Sequence, residues 1–389
     1  MKEHTHQSQR QSYCIEGAQI VTPNSVVEGS VRIEDGAIVD VGRGVAPDSS
    51  DISLHADGQY LLPGLVDLHG DDIERHLRPR NGTRMETLMA LGTADRENLA
   101  AGITTKYHAI AFENDPEEGR TTELAAELTR AIRSATSLLA DHRIHVRCEV
   151  TQEEAVEAAM RDVERDAVDL VSVMSHIPGK GQFEDVEAFK QFYENSDRHT
   201  IEEAERFIEE RASISMETVQ TRIERIIQRA KKAGIVTASH DDEDPREVER
   251  LHETGVDISE YPITLETARR AHELGMTTVM GAPNLIRGES QWGNLESRTA
   301  IEADLLDVLC VDYHPQSLLA APFVDTGESL PDRVARVTKN PADAVGLHDR
   351  GRIEGGARAD LILVDTTDTP TVSRAFVNGE AVYRAEANR

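Results

Sequence analysis

The chain has 389 residues, 39% hydrophobic and 29% charged, enough for one large α/β barrel carrying a small extra domain. No stretch approaches the ~18 apolar residues of a membrane helix, and the polar start MKEHTHQSQRQS is no signal peptide, so a cytoplasmic protein is expected. A formal charge of −29 argues against nucleic acid and acidic membranes as partners; with seven lysines among 42 basic residues it suggests a halophile's surface, adapted to salt that shortens screening to ~3 Å at 1 M.

In chain order, residues 1–60 predict short strands: AQIVT, SVRIEDGAIVDVG with a turn at Asp35-Gly36, then QYLLPG. From there the pattern alternates. Strand-like apolar runs lie at 64–69, 102–110, 144–150, 168–174, 234–240, 256–261, 276–283 and 305–313. Helical patterns separate them, for instance Leu124, Leu128, Ile132 and Leu139. Eight strands alternating with helices predict a (β/α)₈ TIM-like barrel over 61–345, capped by a charged helical insertion at 183–232. Residues 346–389 return to strands, ADLILVD and RAFVNGEAVY, the second holding the hairpin signal Asn378-Gly379. Both termini are therefore expected to build one small β-sandwich domain around the inserted barrel. Cys14, Cys148 and Cys310 are isolated, without metal-binding or disulfide spacing, and read as reduced thiols.

The chemistry of such a barrel sits at the C-terminal ends of its strands. The segment LLPGLVDLHGDD (61–72) ends in His69 and Asp71, and side chains at i and i+2 share a strand face, so Asp67, His69 and Asp71 are expected to project together. Strand 144–150 sets His145, Arg147 and Glu149 on one face, opposite Cys148. Further on, strands run into His176, into His240-Asp241-Asp242 and into Asp312. One histidine at a strand end is usually structural; five of eight strands ending in His, Asp or Glu point to metal. His69, Asp71, Glu149, His176, His240 and Asp312 suit two divalent ions, with zinc, manganese and iron equally compatible. Asp312 is the expected general base. Arg147 on its strand, Lys180 in HIPGKGQF and Arg287 in GAPNLIRGESQWGN are expected to meet an anionic substrate.

Two long motifs carry a resemblance. LLPGLVDLH after a β-rich start, and VTKNPADAVGLHDRGRIEGGARADLILVD at 337–365, resemble the first barrel strand and the C-terminal return of the amidohydrolase superfamily. LHGDD, IHVRCEV, SHIPGKGQF, ASHDD, EYPIT, MGAPNLIRGES and DYHPQSLL resemble, in order, one subgroup of it. The resemblance implies a metal-dependent diphosphatase of phosphonate catabolism, in the carbon–phosphorus lyase pathway. Its reaction splits α-D-ribose 1-methylphosphonate 5-triphosphate between the α and β phosphorus atoms, and its partner is that small phosphorylated sugar, with a homo-oligomer compatible. The rivals are an amide or cyclic-amide hydrolase of the same superfamily and a non-catalytic scaffold; the three cations favour the anionic substrate.

The resemblance also sets two expectations about the site. Many relatives bridge their metals with a carboxylated lysine, and no candidate strand after Lys106 holds a lysine, so Glu149 is the expected substitute. The superfamily's paired histidines usually end strands five and six, whereas His176 and His240 here follow strands four and five. That mismatch predicts either a further strand between 110 and 143 or one of 256–261 and 276–283 lying outside the barrel.

Overall fold

The computed structural model describes residues 11–80, 82–115, 119–176, 213–290 and 293–385. The N-terminal strands are β1 (Tyr13–Val21), β2 (Val26–Glu34), β3 (Ala37–Gly42), β4 (Ile52–His55) and β5 (Tyr60–Pro63). The barrel strands are β6 (Leu65–Gly70), β7 (Ile103–Phe112), β8 (Asp141–Glu149), β9 (Leu170–Met174), β10 (Val236–His240), β11 (Ile258–Glu260), β12 (Thr277–Gly281) and β13 (Val308–Cys310). The chain ends in β14 (Leu361–Asp365), β15 (Thr371–Val377) and β16 (Glu380–Arg384).

Both termini share one mixed sheet, ordered β16-β15-β14-β5-β1-β2-β3 with β4 beside β1. Its seam is the antiparallel pair β5–β14, which sets Pro63 opposite Leu361. The outer hairpin closes at Asn378 and Gly379, both at positive φ (51° and 78°), the type I′ geometry that matches strand twist. Ile15, Ile33, Leu61, Leu361 and Phe376 fill the core of this small domain.

The second sheet is all parallel, β6 through β13 in sequence order, and a bridge between Gly70 and Asp312 brings its edges together. There Asp71 N donates to Asp312 O at 3.0 Å and Asp312 N to His69 O at 2.9 Å. Val66, Leu68, Tyr107, Leu170, Ala238, Ile258, Val279 and Val308 fill the barrel interior. Alternation sends Ile144, Val146 and Cys148 outward, against Leu128, Ile132, Val156 and Ile226 of the surrounding helices.

All eight expected strands therefore belong to the barrel. No further strand interrupts 113–140 among the described residues, where the helix Thr122–Ser134 stands and ends before Leu139. The expected strand misassignment does not exist: His176 follows the fourth barrel strand and His240 ends the fifth. The helix Met216–Lys232 departs from the capping excursion expected over 183–232. It is N-capped by Ser215 and buries Val219, Ile223, Ile226, Ile227 and Ala230, the inner face of an outer-ring helix between β9 and β10. Residues 183–212 of that excursion lie outside the described residues. No helix of the described residues is long and apolar enough to cross a membrane.

Candidate metal centre at the barrel mouth

At the floor of the mouth Glu260, at the end of β11, faces three imidazoles. Its Oε2 lies 3.1 Å from His69 Nδ1, 3.6 Å from His240 Nδ1 and 3.8 Å from His145 Nε2. His69 stacks on His240 at 5.2 Å between ring centroids, and His145 meets His69 edge-on at 5.1 Å. His145 is further fixed by Leu68 O at 2.9 Å and Ser172 Oγ at 2.8 Å. Burial holds all three rings in the neutral form: it drives His69 well below the usual histidine range and His145 and His240 to about 3. The charge of Arg147 pushes the same way on His69 and His240. Neutral imidazoles keep their lone pairs for a Lewis acid.

The rim inverts this composition. Arg147, pointing inward from β8, lies 3.8 Å from Asp71 and 3.3 Å from His240 Nε2. Burial raises Asp71 to about 6, helped by Glu74, and Asp312 to about 7, helped by Asp71; Arg147 opposes both. Asp241 is also raised by burial, with His176 and Arg147 opposing. Asp241, Tyr261 and Asp312 each follow a strand end at left-handed φ, 57°, 55° and 57°. Such backbone costs about 1–3 kcal/mol per non-glycine residue and concentrates where function fixes it.

A second donor group stands beside the first. Glu149 Oε2 lies 2.8 Å from His176 Nδ1, while its Oε1 accepts from the Thr151 hydroxyl at 2.6 Å. One ligand atom each from Glu113, Glu149 and His176 falls within 4.8 Å of the others, as in the group His69, His145 and Glu260. His176 of this second group lines one cleft with His240, the ring that faces Glu260, and with Asp241. The expected residues are thus divided: His69 and His240 at the floor, Glu149 and His176 at its side, Asp71 and Asp312 on the rim.

Arg287, at the end of the short helix Ala282–Arg287 after β12, donates to the Tyr313 hydroxyl at 2.9 Å, one residue beyond Asp312. Lys180 lies outside the described residues. Asp67 breaks the expected alternation. It leaves the face shared by His69 and joins Lys106, with 2.7 Å between Oδ2 and Nζ.

Residues 314–382 match the profile of the amidohydrolase family. Over 380 residues, 95% of this chain and all of the relative, the sequence is 34% identical to alpha-D-ribose 1-methylphosphonate 5-triphosphate diphosphatase of Escherichia coli (strain K12). The chain belongs to the amidohydrolase family. Adenine deaminase of Methanosarcina mazei is 22% identical over 377 residues, covering 92% of this chain and 55% of that enzyme. The crystal structure of dihydropyrimidinase from Brevibacillus agri superposes with a TM-score of 0.65 at 14% identity, over 96% of this chain and 95% of that one, a likeness of fold alone.

Within this amidohydrolase fold, sequence reasoning missed Glu260 and Glu113. Both stand where a strand ends or has just ended, inside EYPIT and after HAIAF, and only the strand-end rule could have flagged them. His145 was visible on the right face of its strand but lies below the strand end, where that rule does not reach.

Proposed function

We propose that the protein is a metal-dependent diphosphatase that hydrolyses α-D-ribose 1-methylphosphonate 5-triphosphate. The observation that carries the substrate is the 34% identity to that diphosphatase along its whole length. The mouth supports it with the donors a divalent cation takes: imidazole nitrogens and carboxylate oxygens. Glu260 Oε1 and His240 Nδ1 are buried without a hydrogen-bond partner, a costly state that a cation relieves.

His69, Asp71, His240 and Asp312, with Glu260 Oε1 beside His69 and His240, would hold one ion and Glu149 with His176 a second, with zinc, manganese or iron all fitting the donors. A divalent ion there supplies Lewis-acid polarisation of phosphoryl oxygens and a water acidified towards neutral pH. Asp312 is the general base: it takes the proton of the attacking water. The water oxygen bonds to the α-phosphorus, and the bond from that phosphorus to the bridging oxygen breaks. Its electron pair leaves with diphosphate, and ribose 1-methylphosphonate 5-phosphate remains. Arg147 orients the substrate within the mouth and Arg287 meets its phosphate tail at the rim, with Lys180 a third cation for that tail. Local cations matter because a chain at −29 repels its polyanionic substrate at long range.

The test is product analysis beside metal analysis of the purified protein. Release of diphosphate with the sugar 5-phosphate, by protein holding about two divalent ions per chain, is expected. Opening of a cyclic amide such as dihydroorotate without diphosphate release would replace this reading with the amide hydrolase.

A further inference from the structure

Lys106 is wholly buried in β7, a rare state for lysine. Its Nζ lies 2.7 Å from Asp67 Oδ2 and 2.5 Å from Asp72 Oδ1. These two acids bracket His69-Gly70-Asp71 at the end of β6, one before it and one after. Between them the β6–β7 register slips: Asp67 pairs with Lys106 and Gly70 with His108, three steps on one strand against two on the other, which restores the register that the opposite slip between Leu65 and Val66 displaces. The extra residue is a bulge, the device that re-aims a side chain near a sheet end. Its effect is visible in the neighbours. Leu68 packs in the barrel interior, and His69, the very next residue, also points inward to Glu260.

The acids tie this bulge to the rest of the fold. Asp67 Oδ1 accepts from His69 N at 3.2 Å and from Val311 N at 2.8 Å, joining the first barrel strand to the residue preceding Asp312. Asp72 Oδ2 accepts from Asn98 Nδ2 at 3.2 Å, on the helix Thr87–Ala100. The ammonium also presses on the segment itself. A Cβ on Gly70 would stand 1.9 Å from Lys106 Nζ and 2.6 Å from Asp67 Oδ2, so a side chain between the two expected ligands must displace the Lys106–Asp67 pair. A buried ion cluster adds little net stability over apolar packing of the same shape, so stability alone does not account for this one.

We propose that Lys106 is a positioning residue: clamped between Asp67 and Asp72, it holds the bulge that turns His69 into the mouth and sets Asp71 beside it. The proposal rests on the reading of His69 and Asp71 as metal ligands. Its test compares wild type with two variants of the full chain, Gly70→Ala and the charge-balanced Lys106→Met/Asp67→Asn/Asp72→Asn. Zinc affinity, thermal unfolding and exchange of the His69 and Asp71 amides are measured on each.

Both variants are expected to unfold cooperatively, to bind zinc about 10–100-fold more weakly, and to exchange these two amides about tenfold faster in the metal-free state. A folded variant with wild-type zinc affinity and wild-type exchange overturns the proposal. Should the triple variant fail to fold, Gly70→Ala decides, since Gly70 lacks a left-handed φ and alanine there is opposed by the clamp. Wild-type protein that binds none of zinc, manganese or iron would sink the metal reading instead, and the exchange rates would then decide the clamp alone.

Discussion

At the floor of the mouth three imidazoles, His69, His145 and His240, gather on one carboxylate; at the rim Asp71 stands 3.8 Å from the Arg147 guanidinium, whose charge also acts on Asp241 and Asp312. Burial acts on both regions with opposite results. It strips protons from the floor histidines and presses protons onto the rim acids. The floor thus holds its imidazoles neutral at pH 7, whereas the crowded rim acids keep their protons to higher pH than free carboxyls do, against the opposing charge of Arg147. The difference teaches why the two regions suit one class of ligand: neutral imidazoles offer lone pairs and crowded carboxylates offer charge, the donors that divalent cations take.

Four experiments test that contrast, the largest effect first. Stripping metal with a strong chelator is expected to abolish diphosphate release and to lower the thermal midpoint; restoring zinc or manganese should recover both, and full activity in the stripped protein would break the comparison. Asp312→Asn removes a rim acid and the proposed base, and turnover should fall about 10²–10⁴-fold with most metal retained. Near-normal turnover would make Asp312 a structural acid. At the floor, Glu260→Gln keeps the shape but removes the carboxylate charge that faces the three rings and bonds His69. A drop in zinc affinity of about 10–100-fold is expected, together with a stability loss of about 1–3 kcal/mol, read by titration and denaturant unfolding. The smallest effect belongs to Arg287→Ala, which should raise KM for the triphosphate about tenfold and leave KM for a monophosphate analogue nearly unchanged. Equal changes for both substrates would show that Arg287 does not read the phosphate tail.

Much of this arrangement was legible because strands are local and their ends are where barrel chemistry collects. Eight apolar runs gave eight strands, and His69, Asp71, Glu149, His176, His240 and Asp312 were visible as polar residues closing them. What stayed hidden is non-local. Glu260 belongs to a three-residue strand and becomes the hub through rings contributed by β6, β8 and β10, a convergence no single segment encodes. The bulge in β6 defeated simple alternation, since a period of two assigns Asp67 and His69 to one face. Lys106 gave no local sign that its partners are Asp67 within β6 and Asp72 just beyond that strand's end.

The seam between β5 and β14 has a consequence for biosynthesis. Pro63 pairs with Leu361, so the sheet built by both termini cannot be completed until nearly the whole chain has left the ribosome. Until then β1 to β5 present an unpaired edge, and the nascent chain is at its most vulnerable to association with its neighbours. Contacts this distant in sequence also slow folding, because a long loop must close before the pairing rewards it. A ribosome-bound chain halted before residue 361 should therefore be far more susceptible to proteolysis within β1–β5 than one released at full length.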